Sequence, residues 1–348
     1  MVKSKNRKKD MNMIKIVVDA FGGDRSPYVN VEGAIKALNE IADLEIIFTG
    51  DSTILNEELK KYKYDERSVS IVHAPDIITC DEIPTIALKT KKESSLVKAY
   101  DLVKNNEDIG GLVSTGSTGA ILTGSVLKTR RLPGVIRPAF CPILPTMDHS
   151  VVGVCDSGAN ASCTVDNLVQ FALMGSLYME KAYGKKNPRV ALLNIGTEEE
   201  KGDELRKETY QRLKNMKEIN FVGNMESRDL LSGKYDLVVC DGFAGNVLIK
   251  STEGTALELL KLLKKSFMKG IKNKLGALLL KKEIYSIKDF MDYNNYGGGV
   301  MLGVNKTIIK GHGSSKTNAI YNCVKQAYTL EKNKLISAIG EAIKPKED

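Results

Sequence analysis

Apolar and polar positions follow a repeating order along the chain. A short apolar run is followed by a turn rich in Gly, Asp, Asn, Ser or Thr, and then by apolar residues at helical spacing. Residues 14–18 predict a buried strand running into Asp19-Ala20-Phe21-Gly22-Gly23-Asp24, with a helix over 29–38 and a second strand over 44–48. Strands over 70–73 and 111–113 bracket a helix over 94–105, and the second of them enters Ser114-Thr115-Gly116-Ser117-Thr118-Gly119. The order continues with strands over 151–155, 189–193 and 237–240, each ending in a polar or Gly-rich turn, and helices over 165–181 and 204–214. A strand over 307–309 precedes His312-Gly313-Ser314-Ser315 and a further helix. Alternation of this kind predicts an α/β fold with a doubly wound, largely parallel sheet. Ligands of such sheets bind at the carboxyl ends of the strands, where these turns converge.

The segment 256–282 breaks the pattern. Apolar residues recur near helical spacing at Ala256, Leu260, Leu263, Phe267, Ile271, Leu275 and Leu278, with lysines between them. It ends in Leu278-Leu279-Leu280-Lys281-Lys282. This predicts a basic amphipathic helix, and its apolar tip at Leu275, Leu278, Leu279 and Leu280 suits an anionic bilayer surface. A core-facing helix pair with solvated lysines, or a contact for an acidic protein, fits the same pattern.

Charge and composition narrow the function classes. The net charge is +8, of which residues 1–10 hold +4 and residues 250–288 hold +7, leaving the rest slightly acidic. With no Trp and no helix-turn-helix or RNA-binding signature, nucleic acid is not an expected partner. The six cysteines form no Cys-x-x-Cys pair and there are only three histidines, so no metal site and no cofactor is expected. The longest uncharged run, 109–127, is studded with Gly and Ser and does not read as a membrane span. No export signal is evident, so a cytoplasmic protein is expected. Expected boundaries are a basic tail over 1–11, one unit over 12–340 and a tail over 341–348. The unit divides into lobes of 12–145 with 296–340, and 146–295.

Candidate chemistry clusters at the turns. The turn at 114–119 offers backbone N–H groups and hydroxyls at a helix start, which suits an anion. It is neither a P-loop nor a dinucleotide fingerprint. Lys92 precedes Ser94 and Ser95 at a predicted helix start, either as a phosphate contact or as a solvated, capped end. His312 with Ser314 and Ser315 would orient a carbonyl or an anion. Asp19, Asp24, Asn194, Thr197, Asp241 and Asn246 are acid/base or carbonyl-binding candidates that serve equally well as turn anchors.

Taken in order, Asp19-Ala20-Phe21-Gly22-Gly23-Asp24, Lys91-Lys92-Glu93-Ser94-Ser95, the 114–119 turn, Arg137-Pro138-Ala139, Gly158-Ala159-Asn160, Asn194-Ile195-Gly196-Thr197-Glu198, Asp241-Gly242-Phe243 and His312-Gly313-Ser314-Ser315 resemble the acyl-acyl-carrier-protein:phosphate acyltransferase (PlsX) family. The resemblance runs from about residue 14 to 327. It departs from the family pattern at Ser117, Ser157, Ser162 and Val165.

The resemblance implies a two-lobed fold similar to phosphotransacetylases and isocitrate/isopropylmalate dehydrogenases. It implies that inorganic phosphate attacks a long-chain acyl-acyl carrier protein, giving acyl phosphate and free carrier for phospholipid synthesis. It implies a homodimer that attaches peripherally to the membrane through 256–282 and feeds a membrane glycerol-phosphate acyltransferase. Within that reaction Ser114, Thr115, Gly116, Ser117, Thr118 and Gly119, with Lys92 or Arg137, would hold phosphate. His312, Asn194 and Asn246 would face the carbonyl oxygen. Asp19, Asp24 and Asp241 would orient them or handle the thiol proton, and Ser94, Ser95, Asn160, Thr197, Gly242, Ser314 and Ser315 would bind substrate. The rival activities are a phosphotransacetylase or phosphotransbutyrylase using acyl-coenzyme A, and a non-catalytic membrane-surface scaffold.

Overall fold

A computed structural model describes residues 13–291 and 293–344; the expected basic tail at 1–11 lies outside the described residues. The first half of the chain builds one sheet. Its strands are β1 (Ile14–Asp19), β2 (Leu44–Gly50), β3 (Val69–His73), β4 (Ile109–Ser114) and β5 (Ala139–Cys141). Helices α1 (Tyr28–Glu40), α2 (Ser52–Leu59), α3 (Pro84–Thr90), α4 (Ser95–Asn105) and α5 (Thr118–Gly124) connect them. The chain then crosses at Pro142 into a second sheet of β6 (Ile143–Thr146), β7 (Ser150–Cys155), β8 (Arg189–Asn194), β9 (Asn220–Glu226) and β10 (Leu237–Val239). Helices α6 (Val165–Tyr183) and α7 (Glu204–Lys214) pack on it. Three consecutive helices, α8 (Gly242–Phe267), α9 (Gly270–Leu279) and α10 (Lys281–Met291), lead back to the first sheet. There β11 (Gly299–Leu302), β12 (Thr307–Lys310), α11 (Thr317–Lys332) and α12 (Leu335–Ile343) complete the fold.

The first sheet runs β3-β2-β1-β4-β12-β11-β5 and the second β6-β7-β10-β8-β9. Strands β1 to β4 and β12 are mutually parallel, as are β7 to β10; β5, β6 and β11 pair antiparallel. The central strands are buried on both faces. Ile16, Val17, Val18 and Leu112 are fully covered in the first sheet, and Val152, Val154, Ala191 and Val238 in the second. Double burial explains their continuous apolar runs.

Two expectations change at the detail. Segment 256–282 is not one helix: it spans the outer half of α8, all of α9 and the start of α10, with a break where Gly270 takes φ +82°. A positive φ suits glycine and interrupts helical geometry. The segment expected as a tail from 341 begins instead as the last turn of α12.

Candidate functional site

The carboxyl ends of β1, β4 and β12 bring Asp19, Ser114 and Lys310 side by side, with Lys310 in register with Ser114. Asp19 is almost fully buried. Its Oδ2 accepts a 2.6 Å hydrogen bond from the Ser114 hydroxyl, which in turn accepts from the Gly116 N–H at 3.1 Å. Burial pushes the Asp19 carboxyl above its ordinary pKa, against the pull of Ser114, Ser95 and the Phe21 and Gly22 amides. Gly22 packs so tightly on this turn that a Cβ there would sit 2.6 Å from the Gly116 nitrogen. The two Gly-rich turns are thus one structure. Thr115 seals it by donating to the Gly22 carbonyl at 2.7 Å.

This arrangement uses most of the 114–119 hydroxyls internally. Ser117 caps α5 by accepting from the Ala120 N–H. Thr118 is the side chain of the turn that reaches an inter-lobe cavity of about 140 Å³. The apolar residues of its lining are Phe140, Pro142, Ile143, Leu144 and Ile249. The polar ones, besides Thr118, are Ser157, Asn246, Lys250, Glu253, Lys310 and His312. Both lobes contribute: α5, β11 and β12 from the first, β6, the turn after β7 and α8 from the second.

His312 is half-buried, and its Nδ1 accepts from the Ser314 N–H at 3.3 Å and lies 2.9 Å from the Ser314 hydroxyl. An accepting Nδ1 places the ring proton on Nε2. Burial lowers the pKa of His312, and Lys310 and Lys250 lower it further, against Glu253 and Asp24. The ring is therefore a neutral Nε2–H donor near neutral pH. Lys310 is 8% exposed, and burial holds its ammonium pKa down to about 8. Its Nζ donates to the Gly311 carbonyl. Lys250, in contrast, is exposed and paired with Glu253 at 3.4 Å.

The second lobe fixes α8 against the cavity. Asp156 follows β7, and its carboxylate accepts from the Phe140, Ala159 and Asn160 N–H groups and from the Asn160 side chain. Gly242 and Gly245 on α8 lie against this turn. Asp241 caps α8 through the Ala244 N–H at 2.9 Å and pairs with Arg206.

Of the residues singled out in the sequence, the cavity gathers Thr118, Asn246 and His312. Asp19, Ser114, Thr115, Gly116 and Ser117 belong to the joined turns at the ends of β1 and β4, and Ser95 at the start of α4 acts on Asp19. Ser315 is buried near Gly311, and Ser314 orients His312. Gly119 packs against Pro84. Asp24 is exposed and meets Gly313 through its backbone. Several others lie off the cavity lining. Lys92 and Arg137 are exposed, and Ser94 caps α4. Asn194 turns inward to the Lys201 carbonyl at 3.0 Å, and Thr197 is exposed on the same loop. Asn160 holds the Pro138 carbonyl at 2.7 Å. Leu275, Leu278, Leu279 and Leu280 are half or more exposed, at the far end of the α8–α9 arm. Lys310, Asp156, Lys250 and Glu253 were missed. The signal for Lys310 was available: a lysine as the last residue of an apolar strand, two positions before His312.

Two α/β lobes closing on a crevice at their strand ends make this a phosphotransacetylase-type fold. A phosphotransacetylase from Streptococcus pyogenes superposes with TM-score 0.58 at 16% identity, over 92% of this chain and 94% of that one. The family model described as fatty acid synthesis protein matches residues 14–338. A phosphate acyltransferase of Clostridioides difficile (strain 630) is 42% identical over 330 residues, covering 95% of this chain and 96% of that protein. One from Clostridium novyi (strain NT) is 45% identical over 333 residues, covering 96% and 99%. The chain belongs to the phosphate acyltransferase family and is an enzyme.

Proposed function

We propose that the enzyme transfers a long-chain acyl group from acyl carrier protein to inorganic phosphate, supplying acyl phosphate for phospholipid synthesis. The observation that carries this reading is the inter-lobe cavity, whose lining combines five apolar side chains with a neutral histidine, an asparagine, a threonine, a serine, two lysines and a glutamate. A phosphate oxygen attacks the thioester carbonyl carbon. Charge collects on the carbonyl oxygen of the tetrahedral intermediate, the C–S bond breaks, and the carrier thiolate leaves and takes up a proton. Phosphate is already anionic and a thiolate, from a thiol of pKa about 8.5, leaves readily. The protein's task is then to position two reactants and stabilise an oxyanion. The His312 Nε2–H and the Asn246 amide serve as oxyanion donors. Asp19 acts through Ser114 to hold the phosphate-side turn. Lys92 and Arg137, exposed and off the cavity lining, have no part in this scheme.

The α8–α9 arm supports two further elements of the reading. No helix among the described residues is long and apolar enough to cross a membrane. Yet Leu257, Leu262, Ile271, Leu278 and Leu279 stand more than half exposed among lysines. Such a surface fits an anionic bilayer or a second copy of the chain. The acidic carrier protein would be steered by the same basic charge.

The test is acyl phosphate formation from palmitoyl-acyl carrier protein, with and without inorganic phosphate, beside palmitoyl- and butyryl-coenzyme A. Phosphate-dependent turnover of the carrier substrate is the expected result. Turnover of the coenzyme A thioesters alone would overturn the carrier assignment and favour acyl-coenzyme A, the reading to which the fold likeness lends weight.

A further inference from the structure

An ammonium group is expensive to take out of water, and a fold that buries one without a counter-charge needs something else to stabilise it. This protein offers an internal comparison. Lys306, partly buried at the start of β12's approach, donates to the carbonyls of Asn106, Glu107 and Ile109 at 3.1, 3.3 and 2.6 Å. All three of its N–H directions are used. Lys310, four residues on and at the other end of the strand, is more deeply buried and donates to one carbonyl, that of Gly311. No carboxylate forms an ion pair with it among the described residues. Its two remaining donors belong to a side chain that lines the inter-lobe cavity.

The cavity supplies the rest of an anion site. Its volume of about 140 Å³ holds several waters, and so a four-oxygen anion. Thr118 and Asn246 bring neutral donors from opposite lobes, and His312 stands two residues from Lys310. Lys250 is partly neutralised by Glu253, which leaves Lys310 as the lining cation that no carboxylate pairs with among the described residues. Burial has lowered its ammonium pKa to about 8, a change that a bound anion would reverse.

We propose that Lys310 is the cation that holds a phosphate group in the inter-lobe cavity. This rests on the acyl-transfer reading for its context but not for its measurement. Two phosphates fit the chemistry: the inorganic co-substrate and the phosphodiester of the carrier's thiol arm. The first places Lys310 beside the attacking oxygen.

The experiment uses the full chain as wild type, Lys310→Met and Lys310→Arg. Inorganic phosphate binding is read by calorimetry without turnover, and KM is measured separately for phosphate and for the acyl carrier. Lys310→Met removes a buried charge at similar volume, so it is expected to fold; Lys310→Arg keeps the charge as a second variant. The expected result is at least tenfold weaker phosphate binding in Lys310→Met. Its KM for phosphate rises in parallel, its KM for the carrier stays within twofold, and Lys310→Arg recovers part of the loss. Unchanged phosphate binding with a lost preference for carrier bearing its thiol arm over carrier lacking it would still support a phosphate at Lys310, that of the arm. Folded Lys310→Met that changes neither would overturn the proposal. Wild type that binds phosphate through Lys310 yet forms no acyl phosphate would overturn the reaction and leave the site.

Discussion

Ser114 donates its hydroxyl proton to Asp19 Oδ2 at 2.6 Å, joining the ends of two adjacent parallel strands across 95 positions of sequence. The bond is buried, and Asp19 Oδ1 has no hydrogen-bond partner of its own. The pair ties the Gly22 turn to the Gly116 turn alongside the Thr115 bond to the Gly22 carbonyl. Ser114→Ala leaves a buried carboxyl without this donor, a loss of about 1–3 kcal/mol. The thermal midpoint should fall by several degrees, and kcat/KM for acyl phosphate formation by at least tenfold as the turn loosens. Differential scanning calorimetry beside the turnover assay checks both. An unchanged midpoint with unchanged turnover would mean that the bond shapes nothing.

The His312 ring is held as a donor by the Ser314 N–H and kept neutral by burial and by Lys310. Replacing a single oxyanion donor costs about 10²–10³ in rate. His312→Ala should lose turnover on that scale, while His312→Gln, which keeps an N–H donor, should retain more. The pH profile carries the sign. Protonation puts a proton on Nδ1 and breaks the Ser314 N–H bond that orients the ring. Because the folded-state pKa lies below the ordinary 6.5, wild-type turnover should hold as pH falls through 6.5 and decline only below it, as that orientation is lost. That acid limb should vanish in His312→Gln. A limb that persists in the variant would belong to another group.

On the proposed reading, the arm formed by α8 and α9 serves attachment rather than catalysis. Leu278 and Leu279 are 65% and 77% exposed, far along the arm from the cavity residues Asn246 and Lys250. Changing both to Glu should abolish sedimentation with anionic phospholipid vesicles and leave turnover in solution within a factor of about two, the mark of a surface contact. Collapse of turnover in a well-folded double variant would assign the segment to the site or to an interface between copies.

Much of this fold was readable because the central strands are doubly buried and the helix starts carry their own caps. Ser94, Ser117 and Asp241 each stand at the position where a helix begins and accept from its first turn. The strands β5 and β6 were not readable. They are three and four residues long, antiparallel, and separated by Pro142, which interrupts any period. The site was harder still. In the sequence Asn194 and Asn246 both stand just beyond an apolar run in a Gly-rich stretch, yet Asn194 closes β8 and faces its own loop, whereas Asn246 lies in α8 and lines the cavity. Sequence spacing does not distinguish these, because side-chain direction at a turn is set by the lobe packed opposite. Lys310 escaped notice for the converse reason. A lysine that closes an apolar strand looks like a solvated edge until β11 and α11 are seen to cover it.

Gly245 offers a packing test of the same crevice. A Cβ there would lie 2.0 Å from the Asp156 carbonyl oxygen, a backbone atom that a side-chain rotation cannot move. Gly245→Ala must therefore displace the first turn of α8, and Asn246 with it. Overpacking of this kind costs about 1–3 kcal/mol or more. The expected outcome is a lower thermal midpoint with a loss of turnover larger than that of Gly254→Ala. Gly254 lies on the same helix with open space around it. Equal behaviour of the two would mean that α8 does not seat on the Asp156 turn.

Lys310 makes a last prediction, about stability. Its ammonium pKa is about 8 in the folded protein against the ordinary 10.5. Between these values the unfolded chain binds more protons than the native state, so the wild-type contribution to stability rises with pH through that window. Below pH 8 both states carry the proton, and the folded protein bears the full cost of burying it, about 3 kcal/mol for that difference in pKa. Lys310→Met should therefore be more stable than wild type at pH 7. Its advantage should shrink between pH 8 and about 10.5. The groups that act on Lys310 are the thiols Cys323 and Cys80, with Lys250, Asp24 and the neighbouring His312. Cys323 is held up at about 12 by burial, and Cys80→Ser removes the other. Urea unfolding of Lys310→Met and wild type at pH 7 and pH 10, each in the Cys80→Ser background, measures the change. A pH-independent difference would mean that Lys310 binds its proton equally well in the folded and the unfolded protein, so that burial does not perturb it. Phosphate should narrow the gap at pH 7, because a bound anion supplies the counter-charge that the fold withholds.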